Sequence, residues 1–192
     1  RKVTIAAHEL GLIDRIALVP TVVGMSNPNP ALLPANPLSK IPTLILDDGT
    51  SLYDSFVIID YLDGLSGTPR LLPRQPGARL ATLKRHALGN GFLDLLVLWR
   101  NERDRPPPYS SPAHLAAYEV KARATLAALE RDADALAATP FDIAHIAVGC
   151  ALSYMAFRFV SWDWRTGHPR LAAWHAWFAA RESHRATEHR DG

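Results

Sequence analysis

The stretch NPLSKIPTLILDDGTSLYDSFVIIDYL, residues 36–62, decides the fold. Pro42 heads the apolar run TLIL, where a proline cannot donate to a strand ladder. Asp48-Gly49 follows as a strong turn signal, and SLY resumes the strand character behind it. The pattern predicts a hairpin whose first strand opens on a proline. Beyond the hairpin the period changes. Ile58, Tyr61, Leu62 and Leu65 recur at i, i+3, i+4 and i+7, the spacing of an amphipathic helix. Asp54 and Ser55 stand immediately before it, where a cap belongs.

Upstream, RKVTIAAHELGL (1–12) reads as a short helix with Val3, Ala6, Ala7 and Leu10 on one face and Gly11 closing it. IALVP (16–20) reads as a strand halted by Pro20, and NPNPALLPANP (27–37) as loop and turn. Downstream, GLSGTPRLLPRQPG (64–77) has the composition of a linker. Helical grammar then takes over in segments near 77–104, 112–138, 142–158 and 169–181, separated by PPPYSSP, ATP and WDWRTGHP. The expected organisation is an α/β domain over 1–66, a linker over 67–76 and an all-helical domain over 77–192.

Composition narrows the function. Of 192 residues, 48% are apolar and 21% charged, with a formal net charge of +2, so there is no basic face for nucleic acid or an anionic membrane. No apolar run approaches the length of a membrane span, and no secretory leader is read at the amino end. The single cysteine, Cys150, permits no internal disulfide and fits a reducing, cytoplasmic setting. It lies in the apolar HIAVGCAL segment, where a thiol is expected to pack rather than react. The eight histidines show neither HxH nor HExxH spacing, so no metal site is expected. Most read as surface or capping residues.

The residues of 36–62 resemble the glutathione-binding half of the cytosolic glutathione S-transferases of bacterial type. PFDIAHIAVGCAL (140–152) is similar to the helix at that family's folding core, and HPRLAAWHAWFAAR (168–181) to the helix after it. The likeness spans nearly the whole chain in the right order. It implies a thioredoxin-like domain followed by a helical bundle, a homodimer, and glutathione as co-substrate without a metal. The implied function is transfer of the glutathione thiolate to a small hydrophobic electrophile, a detoxification chemistry. A non-catalytic glutathione-binding or scaffold protein of the same fold is the alternative.

By this resemblance Pro42 is cis and presents the backbone of Ile41 to the cysteinyl unit of glutathione, a one-residue strand addition. Read from the residues alone, an ordinary loop proline opening an edge strand is the lesser alternative for Pro42. The resemblance gives Asp54 the γ-glutamyl ammonium, Ser55 the γ-glutamyl carboxylate and Lys40 the glycyl carboxylate. Asp54-Ser55 also suffices as a helix cap, and the two roles are compatible because a cap is an anion site. Lys40 alone reads as a solvated lysine. The second substrate is expected against the first bundle helix, GFLDLLVLWR (91–100), with Leu96, Trp99 and Arg100 as wall residues beside Leu93 and Val97; leucines and an aromatic at this spacing more often make core.

The sequence departs from the family in several places. RKVTIAAHELGL matches the helix after the turn that carries the family's Ser, Cys or Tyr beside the sulfur, so the catalytic group is expected just upstream of Arg1. Asp142 is followed three residues later by His145, where the family has Ser or Thr followed by Asp. Ser39 stands where a glycine is commoner, and Glu182 where a proline is.

Overall fold

The computed structural model describes residues 1–67 and 71–188. Thr68, Pro69 and Arg70 of the expected linker, and His189, lie outside the described residues. The chain divides into two compact units, Arg1–Leu72 and Pro73–Gly192.

The first unit opens with α1 (Lys2–Glu9), which buries Ile5, Ala6 and Ala7, followed by Leu10 and Leu12. Gly11 turns the chain at φ +68°, a region glycine enters without the cost borne by other residues. The hairpin follows as expected. β1 (Leu44–Ile45) pairs antiparallel with β2 (Ser51–Leu52), Leu44 opposite Leu52 and Ile45 opposite Ser51. Gly49, at φ +86°, donates to the Leu46 carbonyl at 2.9 Å, and Asp48 Oδ1 accepts from the Thr50 N–H at 2.8 Å. That backbone hydrogen bond holds the Asp48 carboxyl below the usual carboxylate range.

Two expectations for this unit need correction. IALVP is not a strand: Ile16 is extended, but nothing among the described residues pairs with 16–20, and Leu18 and Val19 are exposed. Apolar residues alone do not make a strand, which exists only through its ladder. The helix α2 (Ser55–Leu65) is present, yet its inner face is Ile58, Ile59 and Leu62 with Ser55 and Asp63, not Ile58, Tyr61, Leu62 and Leu65. Tyr61 and Leu65 are largely exposed. Asp63 displaces the stripe because it is a buried acceptor: its Oδ1 takes the Leu71 N–H at 3.0 Å and its Oδ2 the Leu72 N–H at 3.1 Å. α1 and α2 pack against each other.

The second unit is helical throughout its described residues: α3 (Pro76–Arg103), α4 (Pro112–Ala137), α5 (Ile143–Arg158), α6 (Pro169–Ala179) and the short α7 (Glu182–Arg185), which the sequence reading did not separate from its surroundings. Proline at the first helical position starts α3, α4 and α6, where its missing N–H costs nothing. Gln75 and Ser111 cap α3 and α4 with side-chain oxygens. α6 has no cap of its own; Glu130 of α4 reaches over and accepts from the Arg170 and Leu171 N–H groups at 3.2 and 2.8 Å.

Almost every residue of α5 is buried, and Cys150 with it, as expected. Its start is a capping box made with a histidine. Asp142 Oδ1 accepts from the Ala144 and His145 N–H groups, His145 Nδ1 lies 2.7 Å from the same oxygen, and Thr82 of α3 donates to Oδ2 at 2.6 Å. The other ring nitrogen of His145 lies 3.0 Å from the Leu136 carbonyl. The general expectation for the histidines fails elsewhere. His86, His175 and His184 are buried, and Ser153 Oγ lies 3.0 Å from the Nε2 atoms of both His175 and His184. A ring that finds polar partners inside the bundle behaves as a core residue.

Candidate functional site

The segment 36–43 is built around one buried amide. Asn36 Nδ2 donates to the Lys40 carbonyl and to Thr43 Oγ1, both at 3.0 Å, and its Oδ1 accepts from the Leu38 N–H at 3.0 Å. Thr43 Oγ1 donates in turn to the Lys40 carbonyl at 2.9 Å. Ser39, between them, has φ +49°, the left-handed region that favours glycine. Its hydroxyl accepts from the Asn29 N–H at 2.8 Å, which offsets that backbone conformation. The side chains of Asn36, Ser39 and Thr43 thus fold the loop so that residues 40 and 41 stand on the outside.

Ile41 is 52% exposed, although it is a large apolar residue. Neither its N–H nor its C=O has a hydrogen-bond partner among the described residues. The Ile41–Pro42 peptide is cis, as is Tyr53–Asp54. Lys40 is exposed and its ammonium makes no ion pair among the described residues.

The hairpin returns the chain to the same end. Leu44, three residues after Ile41, lies opposite Leu52, two residues before Asp54. Asp54 is the N-cap of α2; its Oδ1 accepts from the Phe56 N–H at 2.9 Å, and its Oδ2 has no partner among the described residues. Ser55 is 2% exposed, and its hydroxyl makes no hydrogen bond among the described residues. A hydroxyl held at a helix N-terminus with nothing to bond is a seat for an anion. Peptide-like edge, anion seat and exposed carboxylate therefore lie at one end of one hairpin.

The residues of the other group, Leu96, Trp99 and Arg100, belong to the helical unit. Leu96 is fully buried, and Trp99 is nearly so, its ring 4.8 Å from Phe159 and 5.4 Å from Trp162. Both pack the bundle. Leu93, Val97 and Arg100 keep some exposure. A cavity of about 370 Å³ between α4 and α6 is lined by Ala133, Asp134, Ala137, Ala173, Trp174 and others, and none of the predicted residues lines it. Among the described residues no group of three or more His, Cys, Asp or Glu is placed to hold a metal ion, and no helix is long and apolar enough to cross a membrane.

Sequence reasoning missed Asn36 as the organiser of the loop and Asp63 as a buried acceptor. The signal for Asn36 was its place between prolines and a predicted strand. For Asp63 it was a carboxylate one residue after a core leucine.

Comparison with known proteins decides the family. Residues 1–65 match the family model described as the glutathione S-transferase N-terminal domain, and residues 112–176 match that of the C-terminal domain. The chain belongs to the glutathione S-transferase family. Its first unit is accordingly the thioredoxin-like domain of that fold and its second the helical domain.

The chain is 32% identical to the Uncharacterized GST-like protein YibF of Escherichia coli (strain K12) over 155 residues, 80% of this chain and 77% of that protein. It is 43% identical to a glutathione transferase family member from Pseudomonas fluorescens Pf-5, solved with bound glutathione. That superposition has a TM-score of 0.94 and covers 99% of this chain and 93% of that one. A further structure of a Pseudomonas fluorescens Pf-5 glutathione transferase family member holds S-(propanoic acid)-glutathione. It is 42% identical, with a TM-score of 0.88 and the same coverage.

Proposed function

We propose that this glutathione S-transferase family member binds glutathione along residues 40–55 and delivers its thiolate to a small hydrophobic electrophile. The observation that carries the reading is the backbone of Ile41, which leaves a donor and an acceptor unpaired and exposed beside the hairpin. A tripeptide answers that need by pairing as a single added strand residue. Pro42 shapes the approach. Ser55 takes the γ-glutamyl carboxylate at the start of α2, Asp54 takes the γ-glutamyl ammonium with the oxygen not spent on capping, and Lys40 takes the glycyl carboxylate. The glutathione and glutathione adduct bound by the Pseudomonas fluorescens relatives support the same ligand here.

In the reaction the thiol gives its proton to water and the sulfur lone pair forms a bond to the electrophilic carbon; either the leaving group departs with its bonding pair, or the π electrons move to the neighbouring atom, which water then protonates. A free cysteine thiol has a pKa of about 8.5, so ionisation needs a stabilising donor near the sulfur. None of the 192 residues is assigned that role. The electrophile is read against α3, where Arg100 keeps exposed surface beside Leu93 and Val97, with Leu96 and Trp99 buried in the bundle. The working form is a cytoplasmic homodimer in detoxification, with the glutathione domain at 1–66, the linker at 67–76 and the helical domain at 77–192.

Calorimetric titration with glutathione tests the binding. The wild type binds, and Asp54→Ala and Ser55→Ala each weaken it about 10-fold, the worth of one hydrogen bond to a charged group. A wild type that binds no glutathione, or variants that bind as well as it does, would sink the assignment. Conjugation of a chlorodinitrobenzene tests catalysis separately: binding without turnover of any electrophile returns the non-catalytic glutathione-binding reading.

A further inference from the structure

One buried amide decides which way the Lys40–Ile41 peptide faces. Asn36 is 1% exposed, and both donors of its Nδ2 are spent inside the loop, on the Lys40 carbonyl and on Thr43 Oγ1, each at 3.0 Å. Thr43 Oγ1 donates to the same Lys40 carbonyl at 2.9 Å, so two donors occupy the two lone pairs of that oxygen. Asn36 Oδ1 is engaged as well, accepting from the Leu38 N–H at 3.0 Å. With its donors committed, Asn36 acts on a ligand only through the backbone.

The Lys40 carbonyl and the Ile41 N–H belong to one peptide unit, and that unit is trans. In a trans peptide the C=O and the N–H lie in one plane and point in opposite directions. Because Asn36 and Thr43 hold the oxygen inside the loop, the Ile41 N–H is turned outward, where it has no partner among the described residues. Turning the peptide over would break both hydrogen bonds to the oxygen. A carbonyl that accepts two hydrogen bonds also polarises its peptide unit and makes the N–H a better donor. We propose that Asn36 is a positioning residue for glutathione, acting with Thr43 to aim the Ile41 N–H at the cysteinyl carbonyl and to strengthen it as a donor. The inference rests on the reading of Ile41 as the strand-like partner of glutathione and adds which side chains orient that partner.

The test uses the full-length protein with glutathione as ligand and reads two quantities, affinity by calorimetry and the Ile41 amide proton by NMR. In the wild type glutathione is expected to move that proton downfield, the signature of a new acceptor. Asn36→Ala, which removes both donors, is expected to bind glutathione about 10-fold or more weakly and to lose most of that shift. Thr43→Val is expected to weaken binding about threefold to tenfold, and Thr43→Ser, which restores the hydroxyl, to return it to within about twofold of the wild type. The two threonine variants decide the matter should Asn36→Ala fail to fold. A side chain that merely held the fold would lower stability and leave the Ile41 shift of the folded protein as in the wild type. Variants that bind as the wild type does, a Thr43→Ser as weak as the valine variant, or an Ile41 amide that glutathione does not move overturns the proposal while glutathione binding stands. A wild type that binds no glutathione removes the transferase reading first, and this inference with it.

Discussion

Gly89 of α3 and Gly91 two residues later should respond oppositely to the same substitution. A methyl group on Gly89 would meet the backbone nitrogen of Val148 at 2.7 Å, the carbonyl carbon of Ala147 at 2.9 Å and Val148 Cγ2 at 3.0 Å. Ordinary Cβ contact begins at 3.4 Å, so the closest approach is short by about 0.7 Å. The principal obstacle is the backbone of α5, which no rotamer change can move. α3 and α5 must separate, or one must bend. Overpacking costs about 1–3 kcal/mol, and against backbone that cannot rotate away the upper part of that range applies, about 2–3 kcal/mol. Against it stands the gain from replacing glycine by alanine inside a helix, about 1 kcal/mol. The net expectation for Gly89→Ala is a loss of about 1–2 kcal/mol.

Gly91 is exposed, and a Cβ there meets nothing within 4 Å. Gly91→Ala keeps the helical gain without the clash and should stabilise by about 0.5–1 kcal/mol. Urea unfolding followed by tryptophan fluorescence and circular dichroism measures both, with comparable m values required for the comparison. Midpoints moving in the same direction, or Gly89→Ala as stable as the wild type, would refute the close approach of the two helices.

Two further outcomes follow from buried carboxylates. Burial pushes the Asp142 carboxyl up, but hydrogen bonds from His145 and Thr82 outweigh it and hold the group below the usual carboxylate range. Its folded value lies below the unfolded one of about 3.9, so its stabilisation is complete above that pH and lost as pH falls through the folded value. Asp142→Asn should therefore lower Tm near neutrality and flatten its decline below about pH 4; an acid limb of unchanged slope contradicts the assignment. Asp63→Ala removes the acceptor for the Leu71 and Leu72 N–H groups and should cost about 2–4 kcal/mol. Unchanged hydrogen-exchange protection at those two amides would count against the role, while Asp63→Asn should be intermediate.

The parts legible in the sequence are those fixed locally. The expected helices at 77–104, 112–138 and 142–158 appear at 76–103, 112–137 and 143–158 because proline, serine and aspartate set their starts within a few residues. The hairpin is legible for the same reason: Asp48 and Gly49 carry their turn in their own backbone preferences. What escaped depends on distant partners. Residues 16–20 have strand composition, and composition cannot supply a ladder. Asp63 belongs to the inner face of α2 only because two amides eight and nine residues on need an acceptor. His175 and His184 are buried because Ser153, on another helix, stands between them. Ser39 stands where the family more often has glycine, and its φ of +49° is the physical reason that glycine suits the position.

The proposed site divides along the same line. Recognition of glutathione falls to backbone, to a helix start and to a cap, features that a proline, a turn dipeptide and an acid-hydroxyl pair announce in the sequence. Side-chain identity matters little for Ile41, whose contribution is its peptide group, so neighbouring motifs rather than the residue itself reveal it. The second substrate is proposed to meet α3, and there the sequence marks a face without separating wall from core. Leu96 and Trp99, read with Arg100 as wall residues, are buried, with the Trp99 ring against Phe159 and Trp162. A helical period says that residues share a face; what covers that face depends on rings far along the chain, which the period cannot announce.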